Sequence, residues 1–368
     1  MTATTGSKTR FVILGGYLGA GKSTLAAALA RRLRDKHGRS VAIITNDQGD
    51  ALVDTEFMKS AGIDVREVLG GCFCSHFDEF VKSARSLVQM ERPDIIIAEP
   101  IGTSTNIMAT VVIPLRDMYP DEFEVAPLIV VVDGTHAMEL LAPSSGFGLG
   151  GGKLIPAHQV HEAEVIVISK VDLLDHEAMA LVADRLAQEV PDSRTFACSA
   201  RSGLNMGELV HLILSDEISH KAASGADQRL FNTEKATMGW YSGVSAIAAQ
   251  PHLDVYDLSK SIMKEVSDRY DPTAIGHVKL IYTSEQASLK MSLVSDSVQV
   301  DGIKGGRYSD GLGRLVLNAR IMAPPAQIKK DLEEALSKVC ESLRLKVLEH
   351  RSSTLAPKPE VPDHYLNQ

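Results

Sequence analysis

Residues 16–23 have the sequence GYLGAGKS. This stretch fits the phosphate-loop pattern G-x-x-x-x-G-K-[ST], which joins a strand to the following helix in many nucleotide-binding proteins. The neighbouring sequence supplies that context, because the apolar run Phe11–Leu14 precedes the motif and a stretch of helical composition, Ser23–Lys36, follows it. The motif and its surroundings therefore predict an α/β domain that binds a nucleotide at the carboxyl edge of its sheet.

The residue types of the motif account for phosphate binding. Glycines allow backbone conformations that other residues avoid, so successive N–H groups can form an anion-binding nest at the helix N-terminus. Lys22 would place a positive charge beside the β- and γ-phosphates, and the hydroxyl of Ser23 would bind Mg²⁺. The predicted phosphate site comprises Gly19, Ala20, Gly21, Lys22, Ser23 and Thr24.

Apolar strands alternate with helical patterns from residue 10 to about residue 215. The strands are continuous runs rich in β-branched residues, which is typical of a parallel sheet covered by helices on both faces. Their positions are Phe11–Leu14, Val41–Ile44, Ile95–Ile97, Leu128–Val132, Val165–Ile168 and Arg194–Cys198. Residues 1–218 are therefore predicted to form one P-loop domain with a doubly wound, mostly parallel sheet.

Acidic residues follow two of these strands. Glu99 could reach Mg²⁺ through water, and Gly102, three residues later, would let a backbone N–H approach the γ-phosphate. Asp47 lies in the segment NDQGD after the second strand, where it could hold Mg²⁺ or position the attacking water, although the same residue types also form turns. We predict Lys22, Asp47 and Glu99 as catalytic residues and Ser23, Asp47 and Glu99 as Mg²⁺ ligands.

Two later segments indicate the base. The sequence SKVD at residues 169–172 follows a strand where GTPases carry Asn-Lys-x-Asp. Asp172 could accept two hydrogen bonds from guanine N1 and N2, which adenine cannot donate, and the stem of Lys170 could stack on the base. Ser169 departs from the pattern, since the usual asparagine ties this loop to the phosphate loop. Ser199 and Ala200 fit the loop whose backbone N–H contacts guanine O6, so GTP is predicted rather than ATP.

The second half of the chain has a different pattern. Residues 219–236 are small and polar without a period, and they are predicted to be a linker. Alternating apolar residues then predict a half-exposed antiparallel sheet, which two amphipathic helices interrupt. The order of strand, helix, strands, helix and strand predicts a smaller, ferredoxin-like α+β domain over residues 237–350, followed by an extended tail over residues 351–368.

Charge and composition argue against several classes of protein. Lys and Arg number 38 against 47 Asp and Glu, a net charge of −9, so neither nucleic acid nor an anionic membrane is expected as a partner. No apolar run approaches the roughly 20 residues of a membrane span, and the first ten residues lack the apolar core of a signal peptide. Four cysteines in 368 residues are too few for a disulfide framework, which favours a cytoplasmic protein.

The sequence GGCFCSH at residues 70–76 predicts a second kind of site. On an extended segment, Cys72 and Cys74 would face the same way and could bind one metal ion through two thiolates, with His76 as a third ligand. Thiolate and imidazole favour Zn²⁺, Co²⁺ or Ni²⁺ over Mg²⁺. The alternatives are that the cysteines are simply buried and that His76 only begins the next helix.

Five motifs, in this order, resemble the CobW–HypB–UreG family of metal-handling GTPases, and most closely its CobW branch. They are GGYLGAGKSTL, TNDQGD, LGGCFCS, IIIAEPIGT and SKVD, within roughly residues 10–215. In the CobW branch the cysteine segment is usually Cys-x-Cys-Cys, whereas Ser75 occupies the third position here. The resemblance implies a GTP-dependent metallochaperone or insertase that uses Mg²⁺, binds Zn²⁺ or Co²⁺ and serves a client metalloenzyme or a corrinoid system.

The residues and the resemblance together predict a GTPase that couples hydrolysis to delivery of a transition metal. Two other interpretations stay open. One is a metal-independent, GTP-controlled chaperone that assembles a cofactor-dependent enzyme, and the other is an ATP-dependent kinase of a small molecule. A homodimer that forms in response to nucleotide binding is a further possibility.

Overall fold

The computed structural model describes residues 8–47, 53, 58, 64–69, 72–141 and 154–366. The chain divides into two compact units. The first unit consists of residues 1–47, 58–231 and 360–368, and the second of residues 48–57 and 232–359. The chain therefore leaves the first unit and returns to it at residue 360.

The first unit contains a sheet of eight strands among the described residues. The strands are β1 (Thr9–Gly16), β2 (Val41–Asp47), β3 (Asp64–Leu69), β4 (Ile95–Glu99), β5 (Phe123–Val125), β6 (Ile129–Asp133), β7 (Val165–Ser169) and β8 (Arg194–Ala197). Their order is β3-β2-β4-β1-β6-β7-β8, with β5 also pairing with β1. Neighbouring strands are parallel, which confirms the predicted doubly wound sheet.

Helices connect these strands. They are α1 (Lys22–His37), α2 (Phe77–Met90), α3 (Ile113–Met118), α4 (Ala137–Leu140), α5 (Leu154–Glu162), α6 (His176–Glu189) and α7 (Met206–Leu214). A π-helical turn, Met108–Val112, leads into α3, and a 3₁₀ turn, Val171–Leu173, follows β7. No helix within the described ranges combines the length and apolarity needed to cross a membrane.

The side chains of β1 show that both faces of the sheet are covered. Val12 and Leu14 belong to a buried cluster that includes the apolar residues of α1 and α7. Phe11 alternates to the opposite face, where its ring packs edge-on against Phe80 of α2 with centroids 5.5 Å apart. Because successive strand residues face opposite sides, an uninterrupted apolar strand needs a helix on each side of it.

The second unit is an antiparallel sheet packed against two helices. Its strands are β9 (Gly239–Asp254), β10 (Ile275–Thr283), β11 (Ala287–Val294), β12 (Ser297–Gly305), β13 (Tyr308–Ile321) and β14 (Lys346–Leu355), in the order β12-β11-β10-β13-β9-β14. Two helices, Val255–Ser267 and Pro325–Ser342, follow β9 and β13 and share a buried core with the sheet. The order β10-β13-β9-β14 is the predicted ferredoxin-like arrangement, to which the β11–β12 hairpin adds two strands.

The predicted linker and tail contain more regular structure than their sequences indicate. Residues 228–236, inside the predicted linker, form helix α8 (Gln228–Ala236). Its buried apolar residue is Phe231, whose ring lies against that of His158. A single buried apolar residue does not produce the helical periodicity by which a helix is predicted from sequence. Strand β14 continues to Leu355, past the predicted end of the second domain at residue 350. The sequence does not indicate this extension, because the partly exposed, polar residues of the strand show no apolar alternation. The domain boundaries themselves stay predictions.

The two helices of the second unit are numbered α9 (Val255–Ser267) and α10 (Pro325–Ser342).

Candidate functional site

The phosphate loop lies between the end of β1 and the start of α1. Gly21 precedes the helix with φ of 91°, a left-handed conformation that favours glycine. Lys22 is buried, and its ammonium group donates to the backbone oxygens of Gly16 at 2.8 Å and Tyr17 at 3.3 Å. The lysine therefore lies across the loop, held by main-chain carbonyls. Of the remaining predicted phosphate-site residues, Ala20 is buried and Thr24 is half-buried on the first turn of α1.

Two predicted Mg²⁺ ligands are in contact. The hydroxyl of Ser23 donates to Oε1 of Glu99 at 2.8 Å, and both side chains are buried. They meet because β4, which ends at Glu99, is the parallel neighbour of β1. Hydroxyl and carboxylate oxygens are donors that Mg²⁺ prefers, so this pair fits the ion. Asp47 ends β2, but its side chain lies outside the described part of the structure.

The loop after β4 touches the phosphate loop at Gly102. A Cβ atom added to Gly102 would come within 2.8 Å of Leu18 Cδ2 and 3.0 Å of the Leu18 backbone nitrogen. A side chain at this position would push the two loops apart. The absence of a side chain thus brings the backbone of Gly102 beside the loop that would hold the phosphates.

Ser169 ties the base-side loop to the phosphate loop. It ends β7, and its hydroxyl lies 2.7 Å from the backbone oxygen of Ala20 and 3.2 Å from that of Val132. The sequence comparison with Asn-Lys-x-Asp suggested that this link is lost. The shorter serine restores it by donating to the main chain of the phosphate loop.

Asp133 is a site residue that sequence reasoning missed. It ends β6, next to β7, and its Oδ2 lies 2.7 Å from Nζ of Lys170. Burial alone would raise the pKa of Asp133, but hydrogen bonds from His136, Lys170 and Thr135 lower it to about 2. The charged carboxylate therefore fixes the ammonium end of Lys170. In the sequence, the feature that could have indicated Asp133 is its position directly after an apolar strand, at the sheet edge that also carries the other predicted residues.

The other predicted base-binding residues lie at the ends of β7 and β8. Asp172 is exposed on the 3₁₀ turn that follows β7. Ser199 is buried and Ala200 half-buried just after β8, where the N–H of Cys198 donates to the oxygen of Ile168 at 2.9 Å. This backbone contact holds the two loops side by side.

The cysteine segment forms a turn, which corrects the extended conformation expected from its sequence. The N–H groups of Ser75 and His76 both donate to the oxygen of Cys72, at 3.0 and 3.1 Å. A turn removes the alternation that would have placed residues 72, 74 and 76 on one side. His76 instead precedes α2, with its Nδ1 3.1 Å from the Ser75 hydroxyl.

The two cysteines nevertheless lie together, and a distant residue joins them. The ligand atoms of Cys72, Cys74 and Glu360 all lie within 4.8 Å of one another, and His76 is not part of this group. Both cysteines are buried and Glu360 is half-buried. Two sulfurs and a carboxylate oxygen form a donor set that suits Zn²⁺ and similar ions. Sequence reasoning missed Glu360, which carries no local motif.

Residues 10–197 match the family model described as CobW/HypB/UreG, nucleotide-binding domain. This chain belongs to the CobW/HypB/UreG family. A relative named zinc chaperone CobW, from Sinorhizobium sp, is 25% identical over 265 residues, which cover 62% of this chain and 72% of the relative. Zinc-regulated GTPase metalloprotein activator 1 of Schizosaccharomyces pombe is 24% identical over 178 residues, 46% of this chain and 41% of the relative.

A solved structure with bound metal was also found. The Zn(II)-bound YjiA GTPase from E. coli aligns with 90% of this chain and 99% of its own, at 17% identity and a TM-score of 0.39. The fold of this CobW/HypB/UreG member rests on the strand order described above.

Hydrogen bonds connect the two candidate sites of this CobW/HypB/UreG chain. Gln159 of α5 is buried, and its Nε2 donates to the backbone oxygens of Gly102 at 3.1 Å and Ser104 at 2.6 Å. The Ser104 hydroxyl in turn lies 3.1 Å from Sγ of Cys72. A single loop, residues 102–104, thus contacts the phosphate loop at one end and the cysteine turn at the other.

A second connection runs through β2. Oδ1 of Asn46 accepts a hydrogen bond from the backbone N–H of Phe73 at 3.1 Å. Asn46 directly precedes Asp47, a predicted Mg²⁺ ligand, and Phe73 lies between the two cysteines. Neither Gln159 nor Asn46 was predicted as a site residue, because single amides carry no recognisable spacing.

Proposed function

We propose that this chain is a GTP-dependent metallochaperone that hydrolyses GTP to GDP and phosphate and couples hydrolysis to delivery of a transition-metal ion. The observation that carries the proposal is the connection, through residues 102–104, between a phosphate-loop site and a pair of buried cysteines. The names of the relatives, a zinc chaperone and a zinc-regulated GTPase metalloprotein activator, support it. Zn²⁺ or Co²⁺ is the proposed cargo, and a metalloenzyme or corrinoid system the proposed client.

The nucleotide half of the proposal uses residues whose contacts suit each task. Lys22 would move from the loop carbonyls to the β- and γ-phosphates, where its charge is needed. Ser23 and Glu99, with Asp47 as the further predicted ligand, would hold Mg²⁺, which when bound neutralises charge on the phosphate oxygens. Asp172 is exposed and able to accept hydrogen bonds from guanine.

The metal half uses the thiols of Cys72 and Cys74. Thiolate ligands favour Zn²⁺ and related ions over the Mg²⁺ of the nucleotide site. The two ions would therefore be sorted by ligand chemistry, with oxygen donors at Glu99 and sulfur donors at the turn.

Coupling would act through the loop of residues 102–104. A γ-phosphate that draws the Gly102 backbone toward itself would move Ser104 through their common partner Gln159, and Ser104 contacts Cys72. Ordering of loops by a γ-phosphate is a common switch in GTPases. We propose that Mg²⁺·GTP closes the thiolate site and that hydrolysis loosens it.

Metal affinity in three nucleotide states tests this function. Zn²⁺ and Co²⁺ affinities are measured with a non-hydrolysable GTP analogue, with GDP and without nucleotide. The expected difference between analogue and GDP is about 5- to 150-fold, the usual range of coupling between sites. Cys72→Ser and Cys74→Ser should lose tight binding in every state, whereas Cys340→Ser, a buried cysteine of α10 in the second unit, should retain it.

Two results would contradict the proposal in different ways. Identical metal affinities in all three states would exclude coupling of hydrolysis to delivery. The lack of a tight metal site in any state would favour the metal-independent, GTP-controlled assembly chaperone.

A further inference from the structure

We infer that residues 360–366, here called the C-terminal strap, complete the metal site, with Glu360 as its third protein ligand. This inference rests on the proposed binding of a transition metal by Cys72 and Cys74. It adds a residue of a different chemical type, from a part of the chain that matches no motif. It also implies that undocking of the strap would withdraw one ligand from the metal ion.

The two residues that follow Cys74 are held in local contacts. The hydroxyl of Ser75 donates to the backbone oxygen of Cys72 at 3.2 Å and lies 3.1 Å from Nδ1 of His76. His76 itself stands at the start of α2, outside the group of clustered ligand atoms. The turn thus directs both side chains into local contacts.

Glu360 lies within about 1 Å of the separation that metal binding requires. Its carboxylate oxygen and the two sulfurs are within 4.8 Å of one another. A tetrahedral Zn²⁺ site with Zn–S of about 2.3 Å and Zn–O of about 2.0 Å separates neighbouring ligand atoms by roughly 3.5–3.8 Å. A contraction of about 1 Å would therefore bring the three atoms onto one ion.

The strap is anchored directly on the cysteine turn. The backbone N–H of Asp363 donates to the oxygen of Cys74 at 2.8 Å, and Oδ2 of Asp363 accepts from the N–H of Phe77 at 2.8 Å. Phe77 is the first residue of α2, where N–H groups lack partners within the helix and a carboxylate is favoured by the helix dipole. Asp363 therefore positions the strap by satisfying the helix start that follows the cysteines.

Further contacts extend this anchoring along the strap. The N–H of Leu366 donates to the oxygen of Ala109 at 2.9 Å, and the Tyr365 hydroxyl donates to the oxygen of Ala226 at 3.0 Å. The ring of His364 meets that of Phe77 edge-on, with centroids 5.1 Å apart. Contacts at four successive positions, 363–366, hold the segment in one register, so Glu360 has a defined place beside the thiols.

Three protein ligands suit an ion that must be passed on. Structural Zn²⁺ sites are closed by four protein ligands, whereas sites with three keep a position open for another molecule. The client's ligand could enter at that position while the strap leaves and withdraws Glu360. Metal binding and strap docking must then stabilise each other, since linkage between two sites is reciprocal.

Variants of the full chain test the role of Glu360. Glu360→Gln keeps the shape of the side chain and removes its charge. Loss of a residue that only hydrogen-bonds to a metal ligand lowers metal affinity about 10- to 100-fold. Loss of a ligand should cost at least as much, so the Zn²⁺ affinity of Glu360→Gln should fall by this factor or more. Val361→Ala changes the adjacent, exposed residue of the strap and should leave the affinity unchanged. Binding of the GTP analogue by each variant verifies the fold.

Two readouts separate a ligand from a structural residue. Co²⁺ bound at saturation should show thiolate-to-metal charge-transfer absorption in Glu360→Gln as in the native protein, because both sulfurs remain. Zn²⁺ should slow amide hydrogen exchange of the strap in the native protein and not in Glu360→Gln. Asp363→Asn, which weakens the anchor without removing a ligand, should lower the affinity less than Glu360→Gln.

The possible failures are distinguishable. Native Zn²⁺ affinity in Glu360→Gln, together with loss in Cys72→Ser, would overturn the role of the strap and leave the metallochaperone proposal standing. A native protein that binds neither Zn²⁺ nor Co²⁺, or whose affinity is unaffected by both cysteine changes, would overturn both.

Discussion

The phosphate site and the cysteine site are built at carboxyl ends of strands in one sheet, but their residues come together by different routes. The phosphate site is contiguous, since its predicted residues are Gly19 to Thr24 on a single strand–loop–helix connection. The cysteine turn is instead in contact with a segment distant in sequence, since the hydrogen-bonded residues Phe77 and Asp363 are separated by 286 positions. A contiguous set of residues can be recognised from sequence, whereas a distant residue that joins such a set cannot.

The largest effect is expected at the contiguous site. Lys22→Ala removes the positive charge that the phosphates require, and GTP turnover should fall by at least about 100-fold, as when one donor to developing charge is removed. Steady-state phosphate release measures the effect. Zn²⁺ binding without nucleotide should stay near native, because the cysteine turn makes no use of Lys22.

Lys36→Ala is the matched control, since Lys36 is exposed in the last turn of the same helix. Native turnover in Lys22→Ala would show that the motif does not bind phosphate here. Loss of nucleotide-free Zn²⁺ binding would show that the two sites are not built independently.

A smaller effect is expected on the base side. Hydrogen bonds to charged groups contribute about 1.5–3 kcal/mol, so Asp172→Asn should weaken GTP binding roughly 10- to 150-fold. Affinity for xanthosine triphosphate should rise, because its base offers a carbonyl where guanine has an amine. Equal binding of ATP and GTP by the native protein would contradict the assignment of the base.

The sequence predicts the secondary structure best where the residues of a single helix or strand determine it. The apolar spacing after the cysteines predicts a helix over residues 77–90, and α2 spans Phe77–Met90. Buried parallel strands were recognised for the same reason, because a strand covered on both faces is apolar throughout. Helix α8 and the full length of β14 were missed, since each has few buried apolar residues.

The sites could be predicted only to the extent that their geometry is local. The cysteine pair was found, but its turn was not, because hydrogen bonds to the Cys72 oxygen override the extended alternation of residue types. Serine in place of the usual asparagine at position 169 predicts a lost contact, yet its hydroxyl reaches the Ala20 carbonyl. Glu360 and Gln159 act across the fold, and nothing in their neighbouring residues indicates a partner.

The smallest predicted effect concerns the connection between the two sites. Gln159 donates to both Gly102 and Ser104, so Gln159→Leu removes the link while keeping an uncharged side chain of similar size. Changes at residues that connect two sites alter coupling by about 0.5–2 kcal/mol, which is roughly a 2- to 30-fold change in a ratio of affinities. The ratio of Zn²⁺ affinity with GTP analogue to that with GDP should fall by this amount.

The Zn²⁺ affinity without nucleotide and the GTP-analogue affinity without metal should each change less than this ratio, because Gln159 donates to the backbone oxygens of Gly102 and Ser104, and neither to the Gly102 N–H that is predicted to meet the γ-phosphate nor to a sulfur atom. Thermal unfolding must be measured alongside, since removing the amide leaves two carbonyls without this donor and costs about 1–3 kcal/mol of stability. Gln188→Leu, the same substitution at an exposed position of α6, controls for the added apolar surface. A ratio in Gln159→Leu equal to the native one would mean that the 102–104 loop does not transmit the nucleotide state, and would transfer that role to the Asn46–Phe73 contact, which the Gln159 substitution leaves in place.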